Sequence, residues 1–267
     1  MSILQLLIGF LLGVLMGYAA WRVKALSKSG AFAATLVGCL IFGLGGLLWA
    51  ILLLTFFISS SALSHAFPHR KTDVDQKLAK GSQRDWAQVF ANGGIGTVLV
   101  IIQVFFPEQL WPLIAYAGAM ATVNADTWAT ELGILSQKPP RLITTAQIVE
   151  PGTSGGITVI GTLATLAGAG LIALITGLFT PPILLSLIVI SIAGLSGSLF
   201  DSFLGATVQA LYECPHCMTE TEQYPLHRCG QKTLLKSGWF WMNNDLVNFI
   251  SSIFGAAIAV GLWQFLV

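Results

Sequence analysis

The distribution of positive charge constrains the fold of this chain more than any other feature of its sequence. All 13 Lys and Arg residues fall in four of the connections between long apolar stretches. These connections lie at residues 22–28, 70–84, 138–141 and 228–236. The alternate connections, around 106–110 and 177–182, contain neither residue type. Under the positive-inside rule the four cationic connections are cytoplasmic, which predicts eight membrane crossings with both termini on the non-cytoplasmic side.

The apolar stretches are long enough to cross a membrane, since a spanning helix needs roughly 20 mainly apolar residues. Hydrophobic residues make up 55% of the chain and charged residues 9%, and the mean hydropathy is +0.78. Such a composition excludes an ordinary soluble domain. The predicted spans are 3–21, 31–47, 48–67, 87–106, 110–132, 155–178, 183–211 and 245–267. The sequence therefore predicts an all-α, polytopic integral membrane protein.

One transmembrane domain is expected over residues 1–267, with cytoplasmic loops at 67–86, 133–154 and 212–244. One boundary stays open, because the apolar sequence continues through Gly43, Gly45 and Gly46. Residues 31–67 can form either a tight hairpin of two helices or one long helix. One long helix would break the alternation of charge.

Four carboxylates lie in or beside the predicted helices, where an ionisable group is costly and marks a candidate functional site. They are Asp126 and Glu131 in the fifth span, Asp201 in the seventh, and Asp245 at the start of the eighth. The predicted topology places all four near the cytoplasmic ends of three helices. A water-facing helix end is the alternative interpretation of each acid taken alone, but their shared depth favours one site.

Asparagines accompany these acids at Asn124, Asn244 and Asn248. Oxygen ligands from Asp, Glu and Asn are those that Mg²⁺ prefers. We therefore predict a magnesium–nucleotide site in which the four carboxylates are the catalytic metal ligands and the asparagines orient the metal shell or the nucleotide. On an ideal helix the side chains of Asp126 and Glu131 point roughly 140° apart. Both can therefore contribute to one site only if that site lies between two facing helices or if the helix is locally broken.

A glycine-rich turn, EPGTSGG at 150–156, precedes the sixth span. The backbone N–H groups of Gly152, Thr153, Ser154, Gly155 and Gly156 form a candidate phosphate cradle, because small residues allow close approach and the next helix presents its positive dipole end. A helix N-cap by Thr153 or Ser154 is the alternative. No Gly-Lys-Ser/Thr follows, so the turn is not a Walker motif.

Two lysines, Lys138 and Lys232, are candidate phosphate contacts. Their alternative role is only to set the topology of the chain. The sequence contains no basic stripe with interleaved aromatic residues, so we expect no nucleic-acid partner.

Three of the four cysteines lie in the last predicted cytoplasmic loop. Cys214 and Cys217, joined by Cys229 and either His227 or His216, would complete the tetrahedral set of a structural Zn²⁺ site. A disulfide is disfavoured because the cytosol is reducing. Free thiols and a redox role are the alternatives.

Four motifs resemble the family of integral membrane proteins that includes plant plastid phytyl-phosphate kinase. They are NADTWATELG at 124–133, GTSGG at 152–156, GSLFDSFLGAT at 197–207, and HRCG at 227–230 followed by NNDLVN at 243–248. The resemblance implies transfer of a phosphoryl group from a nucleoside triphosphate, with CTP as the expected donor, to an isoprenoid monophosphate such as phytyl or geranylgeranyl phosphate. The diphosphate formed would feed tocopherol and related prenyl-lipid synthesis.

The expected partners are thus a nucleotide, an isoprenoid monophosphate and membrane lipids. The expected location is a bacterial inner or plasma membrane, or a thylakoid-type membrane, with the active site facing the cytoplasm. A cation- or proton-coupled transporter is the alternative function, in which the same acids would form an ion path. A transporter usually places its ion sites near mid-membrane, whereas these acids gather at one predicted face.

Overall fold

The computed structural model of the protein describes residues 3–66, 79–80 and 83–267. Within these residues the chain forms eight long helices and five short strands. The helices are α1 Ile3–Arg22, α2 Lys28–Gly45, α3 Leu47–Ala66, α4 Trp86–Phe105, α5 Trp111–Gly133, α6 Val159–Phe179, α7 Ile183–Thr207 and α8 Asn244–Leu266. The predicted all-α, helical membrane fold is confirmed, while the orientation of the termini stays a prediction.

Helix α5 lies at the centre of the bundle and contacts α3, α4, α6, α7 and α8. Every residue from 114 to 125 is buried. Among the described helices, the other seven are long and apolar enough to span a membrane by composition alone. The 23 residues of α5 extend about 35 Å, which is also sufficient. Its polar residues are tolerated because neighbouring helices, rather than lipid, surround it.

Residues 31–67 form two helices as far as the structure describes them, which answers the question that the sequence left open. Gly46 separates α2 from α3 and has a φ of 80°, a conformation that glycine adopts without steric cost. Its N–H donates to the carbonyl oxygen of Phe42 at 2.9 Å and closes α2. The hairpin preserves the alternation of cationic and uncharged connections.

The four cationic connections meet at one end of the bundle. Three contacts between them are Ser27 N–H to the Arg84 carbonyl oxygen, the Lys80–Asp245 ion pair, and the Ser154 hydroxyl to the Glu222 carboxylate. This shared end is what the alternation of charge predicts. Its assignment to the cytoplasm stays a prediction.

Short strands fold the two longest described connections over this end. Strands β1 (Arg141–Leu142) and β2 (Gly156–Ile157) form an antiparallel pair. Strands β3 (Leu211–Cys214), β4 (Thr219–Thr221) and β5 (Leu234–Ser237) form an antiparallel sheet in the order β4-β3-β5. The connections are therefore built structures that can hold side chains in fixed positions.

Helix α1 is peripheral and packs chiefly on α2. Its buried residues are Gly9, Gly13, Gly17 and Ala20, so a stripe of small residues at intervals of four or three forms the contact. A Cβ at Gly9 would lie 2.9 Å from the Gly43 nitrogen. Close approach of this kind is how small residues drive helix association in membranes.

Candidate active site

A cavity of about 830 Å³ lies at the end of the bundle where the cationic connections meet. It is formed by the C-terminal ends of α5 and α7, the N-terminal ends of α6 and α8, the glycine-rich turn and the segment that precedes α4. Its volume falls within the roughly 300–1,000 Å³ that is typical of small-molecule sites. A nucleotide and a lipid phosphate group are ligands of suitable size and polarity.

All four predicted carboxylates line this cavity: Asp126 and Glu131 from α5, Asp201 from α7, and Asp245 from the first turn of α8. They surround the space without converging on one point, because among the described residues no three of their oxygens come within 4.8 Å of one another. Mg²⁺ is usually held by one or two carboxylates together with substrate phosphates. The arrangement therefore suits a metal–phosphate complex better than a bare ion.

Asp126 and Asp201 lie near each other and are candidates for a shared ligand. The charge of Asp126 acts on Asp201, and Ser198, one turn before Asp201, hydrogen-bonds to Asp126. The Oδ2 atom of Asp201 is buried and makes no hydrogen bond of good geometry within the described part of the chain, although the Ser251 hydroxyl lies near the same carboxylate. Because an unsatisfied buried carboxylate oxygen is costly, this atom is the strongest structural indication of a ligand in the cavity.

Glu131 is held from α3 and interacts with a partly buried cation, Arg84. The Ser64 hydroxyl donates to Glu131 Oε1 at 2.6 Å. The guanidinium of Arg84 lies 5.2 Å from the centre of the Phe56 ring, and the charges of Arg84 and Glu131 attract each other. Burial lowers the pKa of Arg84 to about 10, against the opposing effect of Glu131, so Arg84 remains a cation at neutral pH.

Lys80 brings a second cation to the cavity. Its Nζ atom contacts the carboxylates of Asp245 and Asp85, the latter at 2.9 Å. Burial disfavours the charged amine, but the hydrogen bonds and charges of Asp245 and Asp85 outweigh it and raise the pKa of Lys80. Asp245 is therefore paired with a lysine that a bound phosphate can attract.

The glycine-rich turn lines the cavity and packs against α7. Gly152 and Gly155 have φ values of 82° and 78°. A Cβ at Gly155 would lie 2.5 Å from the Cβ of Ala206, so a larger residue does not fit there. The N–H groups of Thr153 and Gly156 donate to carbonyl oxygens within the turn, at 3.1 and 3.0 Å. Those two groups are thus already used and are poorly placed to bind phosphate.

The turn does not start the helix, so the alternative N-cap by Thr153 or Ser154 is wrong. Strand β2 intervenes, and α6 begins at Val159 with Thr158 as its N-cap. The Thr158 hydroxyl accepts the N–H of Gly161 at 2.9 Å. Thr158 and Gly161 still line the cavity, so the positive end of α6 faces it from beside the turn.

A half-buried carboxylate that the sequence analysis missed, Glu222, lies beside Ser154. Its Oε1 atom accepts the Ser154 hydroxyl at 2.6 Å and the Gln209 side-chain amide at 2.7 Å, while the Ala79 N–H also donates to the carboxylate. Burial raises the pKa of Glu222, although these hydrogen bonds oppose the shift. The Ser154 side chain therefore anchors the turn to the β3–β5 sheet.

Two predicted residues lie outside the cavity and are removed from the candidate site. Asn124 is fully buried, where its Oδ1 accepts the Ser59 hydroxyl at 2.9 Å and its Nδ2 donates to the Gly168 carbonyl oxygen at 2.8 Å. It ties α5 to α3 and α6. Lys232 is exposed on the connection that carries the cysteines. In contrast, Lys138, Asn244 and Asn248 line the cavity.

Residues 11–256 match the protein family described as Integral membrane protein DUF92. The chain belongs to this family. The family resemblance predicted from the four motifs is thereby confirmed.

This DUF92 chain is similar along most of its length to three relatives. Protein PGR of Arabidopsis thaliana is 37% identical, and the alignment covers 92% of each chain. An uncharacterised membrane protein of Methanocaldococcus jannaschii is 32% identical over 97% of this chain and 94% of its own. Protein VTE6, chloroplastic, of Arabidopsis thaliana is 27% identical over 91% of this chain and 67% of its own. No solved structure matches the chain.

The DUF92 chain also forms a metal-binding set in the connection between α7 and α8. Ligand atoms of Cys214, Cys217, His227 and Cys229 all lie within 4.8 Å of one another, and this is the one such group within the described residues. The Sγ atoms of Cys214 and Cys229 are 3.5 Å apart. His227, rather than His216, joins the three thiols. This set can hold a metal ion at the end of β3, in the sheet whose strand β4 directly precedes Glu222.

Proposed function

We propose that this protein is a membrane-embedded kinase that transfers a phosphoryl group from a nucleoside triphosphate to an isoprenoid monophosphate. The observation that carries the proposal is the cavity of about 830 Å³, at one end of a helical membrane bundle, whose lining combines four carboxylates, the cations Lys80, Arg84 and Lys138, and a glycine-rich turn. The family resemblance and the similarity to a chloroplastic relative support a substrate from prenyl-lipid metabolism.

The reaction requires little base catalysis. A phosphate monoester loses its second proton near pH 6, so the lipid monophosphate is already largely a dianion at neutral pH. One of its oxygens forms a bond to the γ-phosphorus, the bond between that phosphorus and the β–γ bridging oxygen breaks, and the nucleoside diphosphate leaves. The protein must bring two polyanions together in line and offset their charge.

The carboxylates supply the oxygen ligands that Mg²⁺ prefers. Asp126 and Asp201 are proposed as direct ligands, because they lie near each other and Asp201 presents a buried Oδ2 atom without a hydrogen bond of good geometry in the described chain. Glu131 and Asp245 are proposed to act directly or through water, with Asn244 and Asn248 orienting this shell. When bound, Mg²⁺ would offset negative charge on the reacting phosphates.

Cations and backbone donors are proposed to bind the phosphates. Lys80 and Lys138 line the cavity, and Lys80 can turn from Asp245 to a phosphate oxygen. The N–H groups of Gly152, Ser154 and Gly155 are the donors of the turn that are best placed to contribute, because those of Thr153 and Gly156 are engaged. CTP as the donor is proposed from the family resemblance alone.

We also propose that Cys214, Cys217, His227 and Cys229 hold a structural Zn²⁺ ion. Three thiolates and one imidazole form a closed tetrahedral set, which is typical of structural rather than catalytic zinc. None of the four residues lines the cavity. The ion would stabilise the sheet that positions Glu222 and, through it, the glycine-rich turn.

The proposed site faces the cytoplasm, or the corresponding side of a thylakoid-type membrane. This assignment follows from the positive-inside rule applied to the four cationic connections. They share the end of the bundle at which the cavity lies.

The test is a transfer assay on detergent-purified protein. Phytyl or geranylgeranyl monophosphate is incubated with Mg²⁺ and each γ-labelled nucleoside triphosphate in turn, and the lipids are then resolved. We expect labelled lipid diphosphate from the wild type, and on the order of 100-fold slower turnover for Asp201→Asn with an unchanged unfolding temperature. Folded wild-type protein that yields no product with any nucleotide or lipid would overturn the kinase, and ion flux in liposomes would then test the transporter.

A further inference from the structure

A second cavity, of about 190 Å³, lies between α1, α2, α3 and α4. Its lining is apolar along almost its whole length and includes Val37, Leu53 and Phe57. The polar side chains in the lining are those of Arg84, Gln88 and Asn92. Arg84 lies just before α4, and Gln88 and Asn92 lie in its first two turns.

The same three residues also line the candidate active site, so the two cavities meet at one boundary. Arg84 spans that boundary. Its guanidinium lies 5.2 and 5.9 Å from the ring centres of Phe56 and Phe57, which line the apolar cavity, and its charge interacts with Glu131 in the polar cavity. An amphiphile that fills both spaces must therefore have its polar group near Arg84.

We propose that the apolar cavity binds the tail of the isoprenoid monophosphate and that Arg84, Gln88 and Asn92 bind its phosphate. This inference rests on the proposed function. The planar guanidinium of Arg84 matches two phosphate oxygens at once. The Oε1 atom of Gln88 accepts the N–H of Asp85 at 3.1 Å, so the amide nitrogen of Gln88 is the part of this side chain that can donate to a ligand.

The shape of the cavity defines how much of the tail it can recognise. Its lining runs along α3 from Leu47 to Phe57, which corresponds to about 15 Å of helix. Leu12 and Leu47 are 43% and 63% exposed, so the lining reaches the surface that faces lipid. A long tail is bound over its part nearest the phosphate, and its remainder extends into the bilayer.

The tail enters from lipid, so its burial yields little hydrophobic free energy. Affinity comes mainly from the phosphate, and the apolar cavity orients the substrate so that the phosphate points into the active site. Substrates longer than the cavity should therefore react at similar rates, whereas a short prenyl phosphate loses this orientation.

Photo-cross-linking tests the site without requiring turnover. The probe is geranylgeranyl monophosphate with a diazirine in the first half of its tail, and adducts are mapped by mass spectrometry. We expect adducts on the facing residues Ala34, Val37 and Ala50, which unlabelled geranylgeranyl monophosphate displaces. Adducts on α6 to α8, or the same adducts with a probe alcohol that lacks the phosphate, would overturn the proposal.

Filling the cavity provides the matched comparison. Ala34→Phe places a large side chain in the lining, and the cost of overpacking predicts roughly fivefold or greater loss of the adducts. Ala257→Phe adds the same bulk on the exposed face of α8 and should leave labelling unchanged. Arg84→Gln should abolish displaceable labelling, and Arg84→Lys should restore part of it. Equal labelling of Ala34→Phe and wild type would contradict the proposal.

The two proposals fail in different ways. Displaceable adducts in the apolar cavity from a protein that transfers no phosphate would refute the kinase and retain the lipid-phosphate site. Transfer activity with adducts elsewhere would retain the kinase and refute this tail site.

Discussion

Replacing Asn124 by alanine separates a structural role for this residue from the metal-site role that its sequence suggests. Its side chain joins three helices through hydrogen bonds of 2.9 Å from Ser59, 3.3 Å from Ser60 and 2.8 Å to the Gly168 carbonyl oxygen. It does not line the cavity that holds the four carboxylates. We expect Asn124→Ala to lower stability and to leave the chemistry of the folded protein intact.

The magnitude follows from the two shorter bonds. Hydrogen bonds between membrane helices contribute on average about 0.6 kcal/mol each and at most about 1.7 kcal/mol. Their loss should reduce the free energy of unfolding by about 1–3 kcal/mol. At about 2–4 °C per kcal/mol for a chain of this size, the unfolding temperature should fall by about 2–12 °C.

The measurement is the fraction of protein that remains monodisperse in detergent after heating, combined with the transfer assay at a low temperature. Asp201→Asn is the comparison, because it should keep the unfolding temperature and lose turnover. Asn124→Ala should behave in the opposite way, with turnover per folded molecule within about twofold of wild type. An unchanged unfolding temperature together with lost turnover would return Asn124 to the active site.

Three further predictions follow from packing, protonation and metal binding. A Cβ at Gly197 would overlap Thr122, so Gly197→Ala should lower the free energy of unfolding by about 1–3 kcal/mol, as measured by thermal unfolding. The control is Gly170→Ala, which has open space around it and should be neutral or slightly stabilising. Burial raises the pKa of Glu222 in the native state above its usual value of 4.5. Between pH 4.5 and the raised pKa, Glu222 is therefore protonated in the native state and ionised in the unfolded state. The free energy of unfolding should decline as pH rises through this range. Glu222→Gln should flatten that decline, and an unchanged pH profile would refute it. We expect elemental analysis to detect zinc in the wild type and to detect none in Cys217→Ser, which should also unfold at a lower temperature, and a metal-free wild type would refute the zinc site.

The sequence specifies the helices well because lipid imposes simple rules. Apolar length and the placement of Lys and Arg locate each helix to within a few residues. The least accurate helix start is that of α6, predicted at residue 155 and found at Val159. Thr153, Ser154 and Thr158 have similar intrinsic capping ability, and only the pairing of β1 with β2 selects Thr158.

Parts of the candidate site were predictable for the same reason. Carboxylates are rare in apolar spans, so Asp126 and Asp201 are conspicuous. Three other cavity residues, Lys80, Arg84 and Glu222, lie in connections, where charged residues are common. They become partly buried only when separate connections fold together. The sequence predicts that Asn124 belongs to the site, although it does not line the cavity. Its position along α5 indicates its depth in the bundle but not the face of the helix on which it lies.

The contrast between α1 and α5 has a consequence for how this protein can adapt to different membranes. A bilayer that is thicker or thinner than the bundle forces its helices to tilt, at a cost of fractions of a kcal/mol per ångström. Helix α1 packs chiefly on α2 through small residues, whereas α5 contacts five other helices. We expect α1 to absorb such a mismatch, so that the spacing of Asp126 and Asp201 stays the same in membranes of different thickness.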